Sequence, residues 1–144
     1  MKKIISVLLC VITIFALSGC AVEYTLRYKC EVTLCVKYRA IKTYDVIDVE
    51  NKAYQARYEA VYYLEGNKFR QIVEEEYPDA DYEIYAEADG ESDEVKIYFY
   101  SADKDTLREL ADEITELFLK NFCSVKYRTK ITVAESATQT QKIN

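Results

Sequence analysis

A chain of 144 residues with a formal charge of −6 does not suit a nucleic-acid partner, which wants a basic patch. It contains no histidine, which excludes Ser-His-Asp and Cys-His catalytic centres and any zinc site that needs an imidazole. Fourteen tyrosines and no tryptophan predict a strand-rich fold or a tyrosine-rich binding face, since tyrosine fits a pleated, half-buried surface.

The chain opens Met1-Lys2-Lys3 and continues with fourteen uncharged residues, "IISVLLCVITIFAL", from Ile4 to Leu17. That run is short of the roughly 20 apolar residues that a transmembrane helix needs. It has the length of a secretory core behind a positive start. Ser18-Gly19 then supplies a small pair directly before Cys20. "LSGC" resembles the lipobox of bacterial lipoproteins. The resemblance covers residues 1–20 and implies cleavage between Gly19 and Cys20, diacylglycerol on the Cys20 thiol and an acylated amine. It also implies a protein of the bacterial cell envelope, fastened to a membrane by its lipid and facing the extracytoplasmic side. Ala21 stands where an aspartate would resemble an inner-membrane retention signal, which leaves the outer membrane open. Without residues 1–19 the chain keeps 125 residues, enough for one domain. Losing Lys2 and Lys3 takes the charge to −8.

From Val22 to Ala40 the even positions are mainly apolar and the odd ones mainly polar, which is strand periodicity. At about 3.3 Å per residue it is long for one strand of a small domain, so part is expected to serve as tether. Residues 41–52 remain β-prone, with a turn at Glu50-Asn51-Lys52. The stretch Ala53–Leu64, "AYQARYEAVYYL", has helix-forming alanines, but Tyr54, Ala56, Tyr58, Ala60, Tyr62 and Leu64 alternate, and the alternation predicts a strand. Asn67 is placed to cap a short helix with Phe69, Ile72, Val73 and Tyr77 inward, stopped by Pro78. Residues 81–88 and 95–100 alternate around the turn-like "DGESDE", a hairpin. The clearest helix runs from about Asp103 to Phe122 on a stripe that includes Leu110, Ile114 and Phe118. A last strand over 124–133 is followed by a polar tail expected to fray.

In order from Ala53 this is β-α-β-β-α-β, the ferredoxin-like split pattern, an α+β fold. The expected organisation is a signal peptide over 1–19, a lipidated, β-rich extension over 20–52, the domain over 53–134 and a tail over 135–144. Strand order 4-1-3-2 would put both helices on one face of an antiparallel sheet. The other face would then collect Arg57 and Tyr63 from the first strand, Tyr85 from the second and Lys96, Tyr98 and Tyr100 from the third. Lys126, Arg128 and Lys130 would come from the fourth. That candidate binding face runs from a basic edge through tyrosines to an acidic edge.

Cys30 and Cys35 on one strand lie about 17 Å apart on opposite faces, beyond bonding reach. Cys30 and Cys123, both reckoned to point at the helices, are the one expected disulfide, with Cys35 free. Between Gln71 and Val95 there are eleven acidic residues and no basic one. The loop "EADGESDE" fails an EF-hand frame at Tyr85 and Lys96, so solvated acidic surface is expected and no metal. No catalytic residue and no cofactor is indicated. The expected function is therefore non-enzymatic binding of another envelope or extracellular protein. A small molecule, a cation or a cell-wall glycan is the alternative ligand.

Overall fold

The computed structural model describes residues 28–39, 46–125 and 128–143. The predicted signal peptide and Cys20 lie outside the described residues. The elements run β1 (Tyr28–Tyr38), α1 (Val46–Leu64), α2 (Asn67–Glu76), β2 (Glu83–Ala88), β3 (Glu94–Ser101), α3 (Leu107–Val125), β4 (Thr129–Glu135) and β5 (Gln141–Lys142). The sheet order is β2-β3-β1-β4, with β5 also on β1. That is the ferredoxin-like order, and the fold is α+β.

The fold stands, but its first strand is not the one expected. β1 comes from the segment assigned to an extension, and it occupies the centre of the sheet, antiparallel to β3 and to β4. Its even residues supply the core. Cys30 pairs with Phe99, Val32 with Ile97, Leu34 with Val95 and Val36 with Ile131, and every one of these is buried. Burying side chains of this size contributes about 1.5–3 kcal/mol each. The domain therefore begins by residue 28 and not at residue 53.

Ala53–Leu64, expected as a strand, is helical and belongs to α1. Two residue types alternating every second position also repeat every fourth, so one pattern serves two geometries. Tyr54, Tyr58 and Tyr62 form one helical row and stand exposed, while Ala56, Ala60 and Leu64 form another and are buried. The small alanines let α1 lie close on β1, β2 and β3. The same helix takes in Glu50-Asn51-Lys52, where a turn was expected.

α2 forms where expected, with Phe69 and Val73 buried. Its N-cap is Gly66, however, and no side chain caps it, so Asn67 does not act as the cap. A Cβ on Gly66 would meet the Tyr62 carbonyl oxygen at 3.0 Å, so the tight junction between α1 and α2 favours glycine there. Just before it the Glu65 carboxylate accepts a hydrogen bond from the Ala86 N–H at 2.9 Å. Ala86 sits on the edge strand β2, so this contact also blocks pairing with a foreign strand.

α3 begins later than expected because Asp103 organises a turn ahead of it. Its carboxylate accepts from the Asp105 N–H and the Thr106 hydroxyl. The helix also ends later, through Val125, so Cys123 is helical and does not begin a strand. Leu107, Ala111, Ile114, Phe118 and Phe122 are its buried stripe. Phe118 meets Phe69 edge to face at 5.9 Å and stacks on Phe122 at 5.2 Å, joining α2 to α3.

The polar tail is not frayed either. Thr138 donates its N–H to the Glu31 carbonyl and accepts the Glu31 N–H on its hydroxyl, replacing a ladder pair between β4 and β5. Ala137 is buried, and its N–H donates to the Asp112 carboxylate at 2.9 Å.

Candidate functional site

The sheet face opposite the helices, left open by the described residues, carries five of the nine residues expected on it. Tyr85 on β2 sits opposite Tyr98 on β3, and Tyr98 opposite Glu31 on β1. Glu87, Lys96 and Thr33 make the next row, and Glu83, Tyr100 and Lys29 the one before. Lys130 on β4 pairs with Lys37. The β2 edge is acidic as expected, through Glu83 and Glu87. The rest is a mixture of signs and not a gradient.

Much of that polarity is paired within the face. The Lys29 ammonium lies 4.0 Å from the centre of the Tyr98 ring, whose other neighbour is the stacked Tyr85 ring at 6.1 Å. Lys96 reaches Glu31 at 3.5 Å. The Tyr98 hydroxyl donates to the Glu87 carboxylate, and this bond, with burial, drives its ionisation well above the ordinary phenol range.

Arg57 and Tyr63 do not belong to this face. Both are on α1, since the segment is helical. Arg57 is 6% exposed and pairs with Asp93 of the β2–β3 hairpin at 3.3 Å, pinning that loop to the helix. Tyr63 packs against Phe69, Phe118 and Phe122 at centroid distances of 5.6, 6.1 and 5.4 Å. Arg128 precedes β4, where its carbonyl accepts from the Arg39 N–H. Lys126 lies outside the described residues.

Cys30, Cys35 and Cys123 are free thiols, so the expected Cys30–Cys123 bridge is not formed. Cys30 is buried under α3, its sulfur 3.9 Å from the Leu107 carbonyl, whereas Cys123 lies in the helix's last turn. The two are at opposite ends of the same helix.

The surface that the sequence did not reveal is the tyrosine row of α1. Tyr54 and Tyr58 are 45% exposed with rings 4.6 Å apart, and Tyr62 is 83% exposed. Beside the row runs a groove of about 590 Å³ lined by Tyr58, Glu59, Val61, Tyr62, Tyr63, Glu65 and Phe122. The signal was present as the four-residue repeat of tyrosine, but read at period two it merged with the buried alanine row.

A second concavity, of about 710 Å³, lies between α2 and β2 and is polar, with Arg70, Glu74, Asp81 and Tyr82 in its wall. The Tyr82 hydroxyl is buried and has no hydrogen-bond partner among the described residues. Burial raises its ionisation above the phenol range, and Glu74 adds to that. Among the described residues no cluster of three or more acidic or cysteine side chains is arranged to hold a metal ion. Nor is any helix there long and apolar enough to cross a membrane.

No protein-family model and no curated protein matches the sequence. Among solved structures the chain is similar to a dimeric ferredoxin-like protein from an uncultured marine organism. The two share 10% identity and a TM-score of 0.40, over 82% of this chain and 99% of the other. It is also similar to part of a putative amidohydrolase/peptidase from Burkholderia cenocepacia, at 14% identity and a TM-score of 0.34. That match covers 76% of this chain but 28% of the other.

Proposed function

We propose that this is a lipid-anchored protein of the bacterial cell envelope whose α+β domain binds another envelope or extracellular protein and does no catalysis. The anchor rests on the sequence of residues 1–20, where charge, apolar length, the small pair and Cys20 agree. Two or three acyl chains would hold firmly, since each buried methylene is worth about 0.8 kcal/mol. Binding is carried by the exposed tyrosine row of α1 beside its groove. Of the six large apolar side chains exposed among the described residues, three stand on that one row. Tyrosine supplies broad contact area and a hydroxyl at little entropic cost, which is why it recurs at protein interfaces.

The test has two arms. Cys20→Ser should abolish palmitate labelling and leave the protein uncleaved; labelling that persists overturns the anchor. A photo-crosslinking residue placed at position 62 or position 85 of the full chain, on intact cells, should capture a specific envelope protein. Capture from neither position overturns the binding reading.

The Tyr82 cleft favours a second reading, a small polar ligand. A thermal-shift scan with sugars and calcium tests it, because a ligand that binds only the native state raises its stability with concentration.

A further inference from the structure

We infer that the open sheet face, at the end where β1 leaves β4, binds an anionic phosphodiester polymer. The inference goes beyond the protein-binding reading and can fail without it. Lys37 on β1 and Lys130 on β4 are direct cross-strand partners, and both are exposed. Like charges set opposite one another in a sheet oppose folding. Arg39, also exposed, follows two residues after Lys37 and shares its face by alternation. Its N–H donates to the Arg128 carbonyl at 2.8 Å, which holds it beside the start of β4. No carboxylate among the described residues pairs with Lys37, Arg39 or Lys130. Glu94, opposite Cys35 on the same face, leaves Lys37 unpaired. Three uncompensated cations thus converge in a chain whose net charge is negative. A lysine on an edge strand such as β4 guards it against foreign strands. That accounts for Lys130, but not for Lys37 on the central strand, nor for Arg39.

The spacing selects the ligand. Alternate residues of a strand lie about 6.6 Å apart and cross-strand partners about 5 Å. The three charges therefore make a short, flat array, matched by a chain that repeats its anions at similar intervals. A phosphodiester polymer does so, and each tetrahedral phosphate offers oxygens to two cations at once. Arginine holds such a group through paired N–H donors and lysine as a point charge. Position selects the polymer over the headgroups of the anchoring bilayer, and this step alone rests on the anchor reading. Lys37 is nine residues, roughly 30 Å, along β1 from Tyr28, the described residue nearest Cys20 in sequence. A domain standing on its Tyr28 end turns the array away from the membrane.

The probe is a fluorescent poly(glycerol phosphate) oligomer, titrated against the full chain in neutral detergent and read by anisotropy. Uncharged polyglycerol of the same length is the control. The phosphate polymer should bind where the control does not, and its affinity should fall steeply as salt rises. Lys37→Gln and Lys130→Gln should each weaken it roughly threefold or more and lower the slope of log affinity against log salt by about 1. Lys104→Gln removes the same charge from the exposed turn after β3, at the other end of the sheet, and should leave binding unchanged. Neither Lys37→Gln nor Lys130→Gln should lower the urea midpoint, since each relieves a like-charge pair. A fall in either midpoint would mean that the lysine is neutralised within the fold, which overturns the inference. Polyglycerol bound as tightly, or three variants that bind alike, overturns it as well. So does displacement of the polymer by phosphatidylglycerol mixed into the micelles, or tighter binding to polyglutamate or single-stranded DNA, since each names a different occupant. Aggregation of Lys130→Gln with binding retained would reduce that lysine to an edge guard, and overturns it too.

Discussion

At the scale of single residues, burial decides behaviour that residue type leaves open. Cys30 is buried on the helix side of β1, and this burial, reinforced by Asp112 and opposed by Arg108, raises its ionisation from 9.0 to about 11. The thiolate is the reactive form, so Cys30 is expected to resist alkylation. Iodoacetamide at about pH 8, followed by peptide mapping, should modify Cys35 and Cys123 before Cys30. Early loss of Cys30 would mean that α3 does not cover it. The parity of β1 was legible in the sequence: Cys30 inward and Cys35 outward follow from alternation alone. The position of Cys123 was not, because nothing local marks the end of α3. Cys123-Ser124-Val125 continues a helix as well as it begins a strand.

At the scale of elements, α1 is the instructive case. A tyrosine every fourth residue between alanines every fourth residue is also an alternation, and the sequence alone cannot choose between the two periods. Packing chooses helix, because only a helix puts Ala56, Ala60 and Leu64 on the sheet and Tyr54, Tyr58 and Tyr62 outside. The consequence is measurable. Ala60→Val should cost about 1–3 kcal/mol by overpacking the contact with the sheet. Tyr62→Ala, at an exposed position, should lie within about 0.5 kcal/mol. Were the segment a strand, the two side chains would share a face and respond alike, so matching losses in urea melts would contradict the helix. In α3, whose stripe was legible, Ile114→Ala should cost about 2–5 kcal/mol and Lys120→Ala, on the exposed side, under about 0.5. The tail was misread for a different reason. Thr138 joins the sheet through its side chain, and no periodicity encodes a hydroxyl standing in for a backbone group.

At the scale of the whole molecule, the element order carried the ferredoxin-like fold even though its first strand was assigned to the wrong segment. A β-prone run followed by one helix more than expected gives the same succession shifted upstream. The candidate surface moved with it, since Arg57 and Tyr63 went from sheet to helix. The charge inventory sets a pH profile. With no histidine, folding stability should be nearly flat between about pH 5 and 8. Asp89 and Asp103 are held below the ordinary carboxylate value, chiefly by backbone hydrogen bonds from Glu91 and Asp105. Their contribution is present above that value and is lost as pH falls through their lowered ones. Cys30, Tyr63, Tyr82, Tyr98 and Tyr100 are raised, so the folded state holds their protons longer. That stability is complete below the ordinary thiol and phenol values and is lost as pH rises through the raised ones. Urea midpoints across pH should therefore form a plateau with both flanks falling, and a step near neutrality would contradict it.

The anchor remains the statement on which address and function both depend. Its most direct test is the intact mass of the full-length gene product extracted from bacterial membranes. The account predicts a chain that starts at Cys20 and carries the added mass of a diacylglycerol on that residue. A chain that retains residues 1–19, or that starts at Cys20 without lipid, would contradict it.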